Sequence, residues 1–400
     1  MGRSSQAMHI RSLVEALKAD GHDVTILSPP GVDPFRSAGM MPFLRKADRA
    51  VGLQRIWKHI SCDCPQFAFE LFEILYNLFL PFRLLPILWR EPDAVLYERH
   101  ANFMFMGVLL GKWLRRPVVI EVNELAGFKR ARGLIMERLA RSIDAWVFSR
   151  ADHILCVSSV LADETQQRGA DSDRVHVLPN AIDPGRFRSP GPAPSLRARL
   201  GLHGSIAIGH VGLFYRWDRL EVLIEVVKRI RDKHTNVKVL LVGDGPEMEN
   251  LKQTVRRLGM EKVVIFPGPV HRDDVPSYID AMDICVLPDS NAFGSPIALF
   301  EFMAMGKPCL VPDLGPMRDV IEDNVTGIMF PHGDYSTLES ALLRLVEDPA
   351  LRFQVGARAR DAVFKRHTWV ANARFVVQLA AGERAARPLA QMEQVDCDTH

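Results

Sequence analysis

The chain has 400 residues, 48% of them apolar, and 50 Lys and Arg against 48 Asp and Glu leave a formal charge of +2. That length accommodates two domains, each with its own core, and is too great for one small module. The near-neutral balance supplies no electrostatic reason to expect nucleic acid as a partner and favours a small molecule.

At the N-terminus, MGRSSQAMHIR carries no apolar h-region, so a cytoplasmic location is expected. Helical spacing of Leu13, Val14, Ala16 and Leu17 ends at Gly21, and Val24 to Leu27 then reads as a short buried strand. The most apolar stretch, Phe67 to Trp89, contains Glu70, Glu73, Asn77, Arg83, Pro81 and Pro86, which do not suit a spanning helix. Two readings of it stay open: an ordinary core helix, or an amphipathic segment in peripheral contact with the inner membrane surface. Strands are expected at 92–97, 117–122 and 153–157, with helices between them, the pattern of a parallel sheet covered on both faces.

Both periods stop in the Pro- and Gly-rich segment PGRFRSPGPAPSLRARLG, which reads as an interdomain linker. A second α/β series follows: strands at 206–211, 237–242, 263–266, 284–287 and 309–311, and helices at about 219–233, at about 247–258 and from near Pro296. Closing helices run from about Tyr335 to Ala381. The boundaries expected are an N-terminal domain 1–183, a linker 184–203, a C-terminal domain 204–366, a helix 367–383 returning to the N-terminal domain, and a loose tail 384–400. Cys62, Cys64, Cys156, Cys285, Cys309 and Cys397 lack CxxC or zinc-ligand spacing, so they read as reduced thiols and no metal is expected.

Three segments could carry chemistry. In SPIALFEFMAMGKP, Ser295 suits an N-cap and Pro296 the first turn, so the amides of Ile297 and Ala298 would face the crevice beyond the strand ends, where anions bind. Glu301 lies one turn on, on the same face, where a carboxylate can accept two ribose hydroxyls. Taken alone, the pattern is more simply a capped core helix with one exposed Glu. In VLLVGDGPEMENL, Gly243 ends a strand and permits close approach of a ligand, but GxG by itself mostly marks a tight turn. In HVGLFYRWDRLEVLI, Gly212 ends a strand, and Arg216 and Arg219 flank the loop, where fixed cations could hold a diphosphate; two solvated surface arginines are the plainer reading.

In order and spacing these segments, with PNAID, FPGPV, EFMAMGKP and GPMRDVIEDNVTGIMF, resemble family-4 glycosyltransferases over about residues 150–370. The N-terminal half, with PDAVLYERH and PVVIEVNEL, looks like a bacterial envelope-polysaccharide branch of that family. The resemblance implies an α/β protein of the GT-B type, two facing Rossmann-like domains. It implies retaining transfer of a sugar from a nucleoside diphosphate donor to a hydroxyl of a lipid-linked or polysaccharide acceptor, with no cofactor and no metal. The donor would go with the C-terminal domain, touching Glu301, Ser295, Ile297, Ala298, Gly212, Gly243 and Asp289.

The departures from the family pattern concern the site itself. Asn123 stands where many members have a histidine near the reacting sugar. The first glutamate of the family's E-x7-E pair falls on Phe293, with Asp289 the available carboxylate, and its Arg and Lys fall on Leu213 and Asp218, with Arg216 and Arg219 the nearest replacements. A second reading is therefore a catalytically silent relative that binds a sugar nucleotide or a partner protein. The family's opening strand is also missing before the glycine-rich loop, which predicts a start upstream and a poorly stable N-terminal domain.

Overall fold

The computed structural model describes residues 5–28, 66–128, 134–187 and 194–382 and contains two parallel sheets. The expected tail, the middle of the linker and three of the six cysteines lie outside the described residues. By internal contacts the chain divides into two units.

After α1 (Ser5–Ala19), the unit built on residues up to Pro179 has strands β1 (Leu96–Arg99), β2 (Val118–Val122), β3 (His153–Cys156) and β4 (Val175–Val177), in that order and all parallel. Between them run α2 (Gln66–Arg90), α3 (Met106–Trp113), α4 (Glu137–Phe148) and α5 (Ser159–Gln167). β2 is buried at all five positions, as a β-branched run covered on both faces must be. Phe375, Val376 and Leu379 of the closing helix Trp369–Ala380 pack on Val119 and Leu155 of this sheet.

One expected strand is corrected. Among the described residues, Val24 to Leu27 joins no ladder. Leu27 packs instead against Leu80, Leu84 and Leu88 of α2 and Leu110 of α3, and Arg83 donates to the Ser28 carbonyl at 2.5 Å, so the segment is held by side chains and not by strand pairing. β4 and β10, conversely, are strands that were not expected from the sequence.

The other unit, built on Asn180–Ala371 with the start of the chain as far as Leu13, holds six parallel strands. They are β5 (Ile206–Leu213), β6 (Val237–Asp244), β7 (Val264–Gly268), β8 (Ile284–Val286), β9 (Cys309–Asp313) and β10 (Ile328–Pro331), ordered 10-9-8-5-6-7. The helices used below are α6 (Leu220–Arg231), α7 (Met248–Leu258), α8 (Val275–Asp280), α9 (Ile297–Ala304), α10 (Tyr335–Glu347) and α11 (Pro349–Arg366). Alternation along the strands feeds two cores: Ile208, Val239 and Leu241 point to one, with α6 and α10, while Ala207, Leu240 and Val242 point to the other, with α9 and α11.

The turn after β6 shows why its glycines are needed. A Cβ on Gly243 (φ +138°) would lie 1.9 Å from the Gly212 carbonyl oxygen, and one on Gly245 2.4 Å from the Phe214 amide nitrogen. Close packing against the end of β5 thus requires both, whatever binds nearby.

Candidate functional site

The strand order places a topological switch between β5 and β8: from β5 the chain moves outward through β6 and β7, then returns to β8 and continues the other way. In open α/β sheets the crevice beyond the carboxyl ends of such a pair is where ligands bind. Gly212, the 214–219 loop, Asp289 and the 289–296 loop into α9 occupy those ends.

The start of α9 differs from the expected cap. Pro296 (φ −73°, ψ 118°) is the N-cap residue and makes no side-chain cap bond. Ser295 is not the cap, because the chain turns into the helix one residue later and its hydroxyl accepts the Asn180 amide N–H at 3.1 Å. Asn180 also donates its Nδ2 to the Ser295 carbonyl at 2.6 Å, and its Oδ1 lies 2.7 Å from His9 Nδ1. All three side chains are buried. The first amides of α9, Ile297 and Ala298, have no intrahelical acceptor by construction, while the Ala298 side chain turns into the core.

Ile297 and Glu301, one turn apart, line a common half-open cavity with Ala181, Asp183, Arg186 and Arg272 and with His9, Ser12 and Trp369. Burial raises the Glu301 carboxyl to about 7, against the pull of the Arg186 and Arg272 guanidinia, which favour its charge. A carboxyl that ionises near neutrality beside two cations can accept hydrogen bonds from hydroxyls, and the cations can face phosphate.

Asp289 sits in a second cluster of the same unit. Its Oδ1 accepts the Ser290 amide at 2.8 Å and lies 3.0 Å from His332 Nε2. Asp218 accepts the Tyr215 amide at 2.8 Å and is raised by burial to about 7, with Asp289 and Glu221 adding to the rise. Arg219, left-handed at φ +48°, donates Nε to Glu221 at 2.6 Å and lies over the Tyr335 ring at 5.7 Å. The structure therefore separates the two loop arginines: Arg219 belongs to the Asp289 surroundings, whereas Arg216 is exposed on a one-turn 3-10 helix.

Asn123 lies in the other unit, just past β2, and donates Nδ2 to Glu121. Glu121 is buried and also accepts the Tyr97 hydroxyl at 2.6 Å, with Arg99 at 3.8 Å. On the neighbouring strand Glu98 pairs with Ile120 and is raised by burial to about 7; among the described residues its Oε2 has no hydrogen-bond partner, and it lies against Gly107 of α3, where a Cβ would meet it at 2.0 Å.

With this geometry in hand, comparison with known proteins is decisive for the class. Residues 6–186 match Glycosyltransferase Family 4, and residues 205–348 match Glycosyl transferases group 1. The chain belongs to the GT-B glycosyltransferases. Among similar proteins, N-acetyl-alpha-D-glucosaminyl L-malate synthase of Bacillus anthracis is 28% identical over 219 residues, 54% of this chain and 56% of that relative's own length. The fold is similar to that of Anabaena HepE in complex with UDP, with TM-score 0.64, 20% identity, and 74% of this chain and 81% of that one covered. It is also similar to sucrose-phosphate synthase from Thermosynechococcus elongatus, with TM-score 0.66, 17% identity, and 95% and 93% covered.

In this glycosyltransferase the residues that sequence reasoning missed are Arg186, Arg272, Asn180 and His332. Arg186 lies inside PGRFRSPGPAPSLRARLG, read only as a linker, and Arg272 stands two residues after FPGPV, so both were within reach of the sequence. Nothing in the sequence pairs Asn180 with Ser295 or His332 with Asp289, because both contacts join distant parts of the chain.

Proposed function

We propose that this glycosyltransferase moves a sugar from a nucleoside diphosphate donor to a hydroxyl of a lipid-linked or polysaccharide acceptor, with retention at the anomeric carbon. The observation that carries the donor part is the cavity in which Ile297 and Glu301 share one face of α9 with Arg186 and Arg272. Glu301 would hold the ribose hydroxyls, and the α9 amides and nearby guanidinia the diphosphate. That division assigns the growing charge of the leaving group to fixed dipoles and cations, with no metal. HepE, solved with UDP, supports a nucleotide at such a fold.

Gly212, Gly243, Ser295 and Asp289 complete the proposed donor surroundings: the glycines and Ser295 set the backbone, and Asp289 supplies a carboxylate four residues before Phe293. Arg219 is the proposed cation of the 214–219 loop. Asn123 is assigned to the acceptor-side unit, held by Glu121. We place the protein in the cytoplasm. Hydrolysis and transfer assays over UDP, GDP and ADP sugars test this reading. Sugar release from one donor supports it, and nucleotide binding without any turnover would favour the silent relative.

A further inference from the structure

α2 has its polarity reversed relative to an ordinary surface helix. Its polar groups face inward and are used there: Glu70 accepts the amides of Ile135 and Met136 at 2.7 and 2.8 Å. Asn77 donates to the Phe103 carbonyl at 2.8 Å and accepts the amides of Phe105 and Met106, both at 3.1 Å, which caps α3. Leu80, Leu84 and Leu88 are buried on that same side. By length and apolar composition α2 would be enough to cross a membrane, but these bonds fasten one side of it to its own unit.

Among the described residues, its other side is apolar and uncovered. Leu71, Leu75, Leu78, Phe82 and Trp89 recur at steps of three, four or seven residues and so share one face, with Phe79 beside them. Phe82 is 80% exposed, Trp89 and Phe79 64% and Leu78 61%. α3, packed against α2, adds exposed Leu109 and Trp113, four residues apart. No carboxylate is among the exposed residues of α2; its exposed charges are Arg83 and Arg90, at the margin of the apolar face and toward one end. Within the helix, exposed rings and leucines edged by arginine match a bilayer surface whose acyl boundary is apolar and whose headgroups are anionic, and the exposed acids Glu91 and Asp93 follow only beyond its end.

We infer that α2 lies in the plane of an anionic membrane surface, with Phe79, Phe82 and Trp89 in the acyl boundary and Arg90 among the headgroups, while Arg83 at the margin holds the Ser28 carbonyl. The helix is about 37 Å long at 1.5 Å per residue, enough to fix the orientation of its unit on the bilayer. This docking concerns binding alone and stands whether or not the sugar transfer proposed above is correct.

Flotation of the full chain with vesicles of phosphatidylcholine, alone or mixed with phosphatidylglycerol, tests it. The wild type should float with the mixed vesicles and far less with the neutral ones. The pair Phe79→Glu and Phe82→Glu should lower binding on the order of tenfold or more, and Arg90→Glu should remove the preference for anionic lipid. Because these side chains are exposed, the variants should keep the wild-type circular dichroism and thermal midpoint. A wild type that does not float, or Glu variants that float equally well, would overturn the inference. So would a concentration-dependent dimer abolished by the same substitutions in a protein that ignores vesicles, which would assign the face to a second copy of this chain.

Discussion

Asn180 grips Ser295 at two points, its backbone N–H on the serine hydroxyl and its Nδ2 on the serine carbonyl, at 3.1 and 2.6 Å. The chain leading into α9 is thereby tied to PNAID, of which Asn180 is the second residue. Asn180→Ala would leave the buried Ser295 carbonyl without that partner and should cost about 1–3 kcal/mol. Denaturant unfolding measures the loss, and nucleotide affinity should fall with it, because the entry to α9 is no longer fixed. A variant as stable as wild type would show that the grip is dispensable.

Glu301 should make nucleotide binding pH-dependent. Burial holds its carboxyl at about 7 despite Arg186 and Arg272, so in the free protein it is largely protonated below neutrality and ionised above. Ribose hydroxyls donate best to the ionised form, so affinity for a nucleoside diphosphate should rise between about pH 6 and about pH 8. Arg272→Met removes one favourable cation and should move that rise to higher pH. A flat profile in the wild type would remove Glu301 from the ribose.

Glu98 should make stability fall with rising pH. Its carboxyl is raised by burial from an ordinary 4.5 to about 7, so the folded state keeps a proton that the unfolded chain releases. The contribution is complete below the unfolded value, declines as pH rises through the window between them, and is lost above about 7. Glu98→Gln cannot ionise and should be more stable than wild type at about pH 8, by up to about 3 kcal/mol, with little advantage at about pH 4. Thermal melts across that range check it; equal pH slopes would contradict the assignment.

The loop arginines should separate kinetically. Arg219, held beside Glu221 and Tyr335 at the Asp289 cluster, should lower kcat more than it raises KM when changed to Ala, because leaving-group charge grows in the transition state. Arg216→Ala, on an exposed turn, should have the smaller effect. Normal turnover in the double variant would leave the diphosphate to the α9 amides and to Arg186 and Arg272.

What the sequence made legible follows from how local each feature is. β2, β5 and β6 are mostly buried apolar runs rich in Val, Ile and Leu, and the strands stand where that pattern puts them. The spacing of Ile297 and Glu301 is a property of one helix, so their common cavity could be expected from four residues of separation. Val24 to Leu27 has the composition of a strand, but a strand exists only with a paired neighbour, and composition does not supply one. Ser295 has the chemistry of a cap, yet Asn180, 115 positions away, takes its hydroxyl. The same distance problem hid His332 from Asp289, 43 positions apart.

The most direct test of the donor site is calorimetric titration of UDP into the wild type and Glu301→Gln at neutral to mildly alkaline pH. Loss of a charged acceptor at a buried site is worth about 1.5–3 kcal/mol, so the variant should bind roughly ten- to a hundredfold more weakly, with an unchanged thermal midpoint or a higher one. Equal affinity in the two proteins would contradict the placement of the nucleotide at α9, and with it the donor site proposed for this chain.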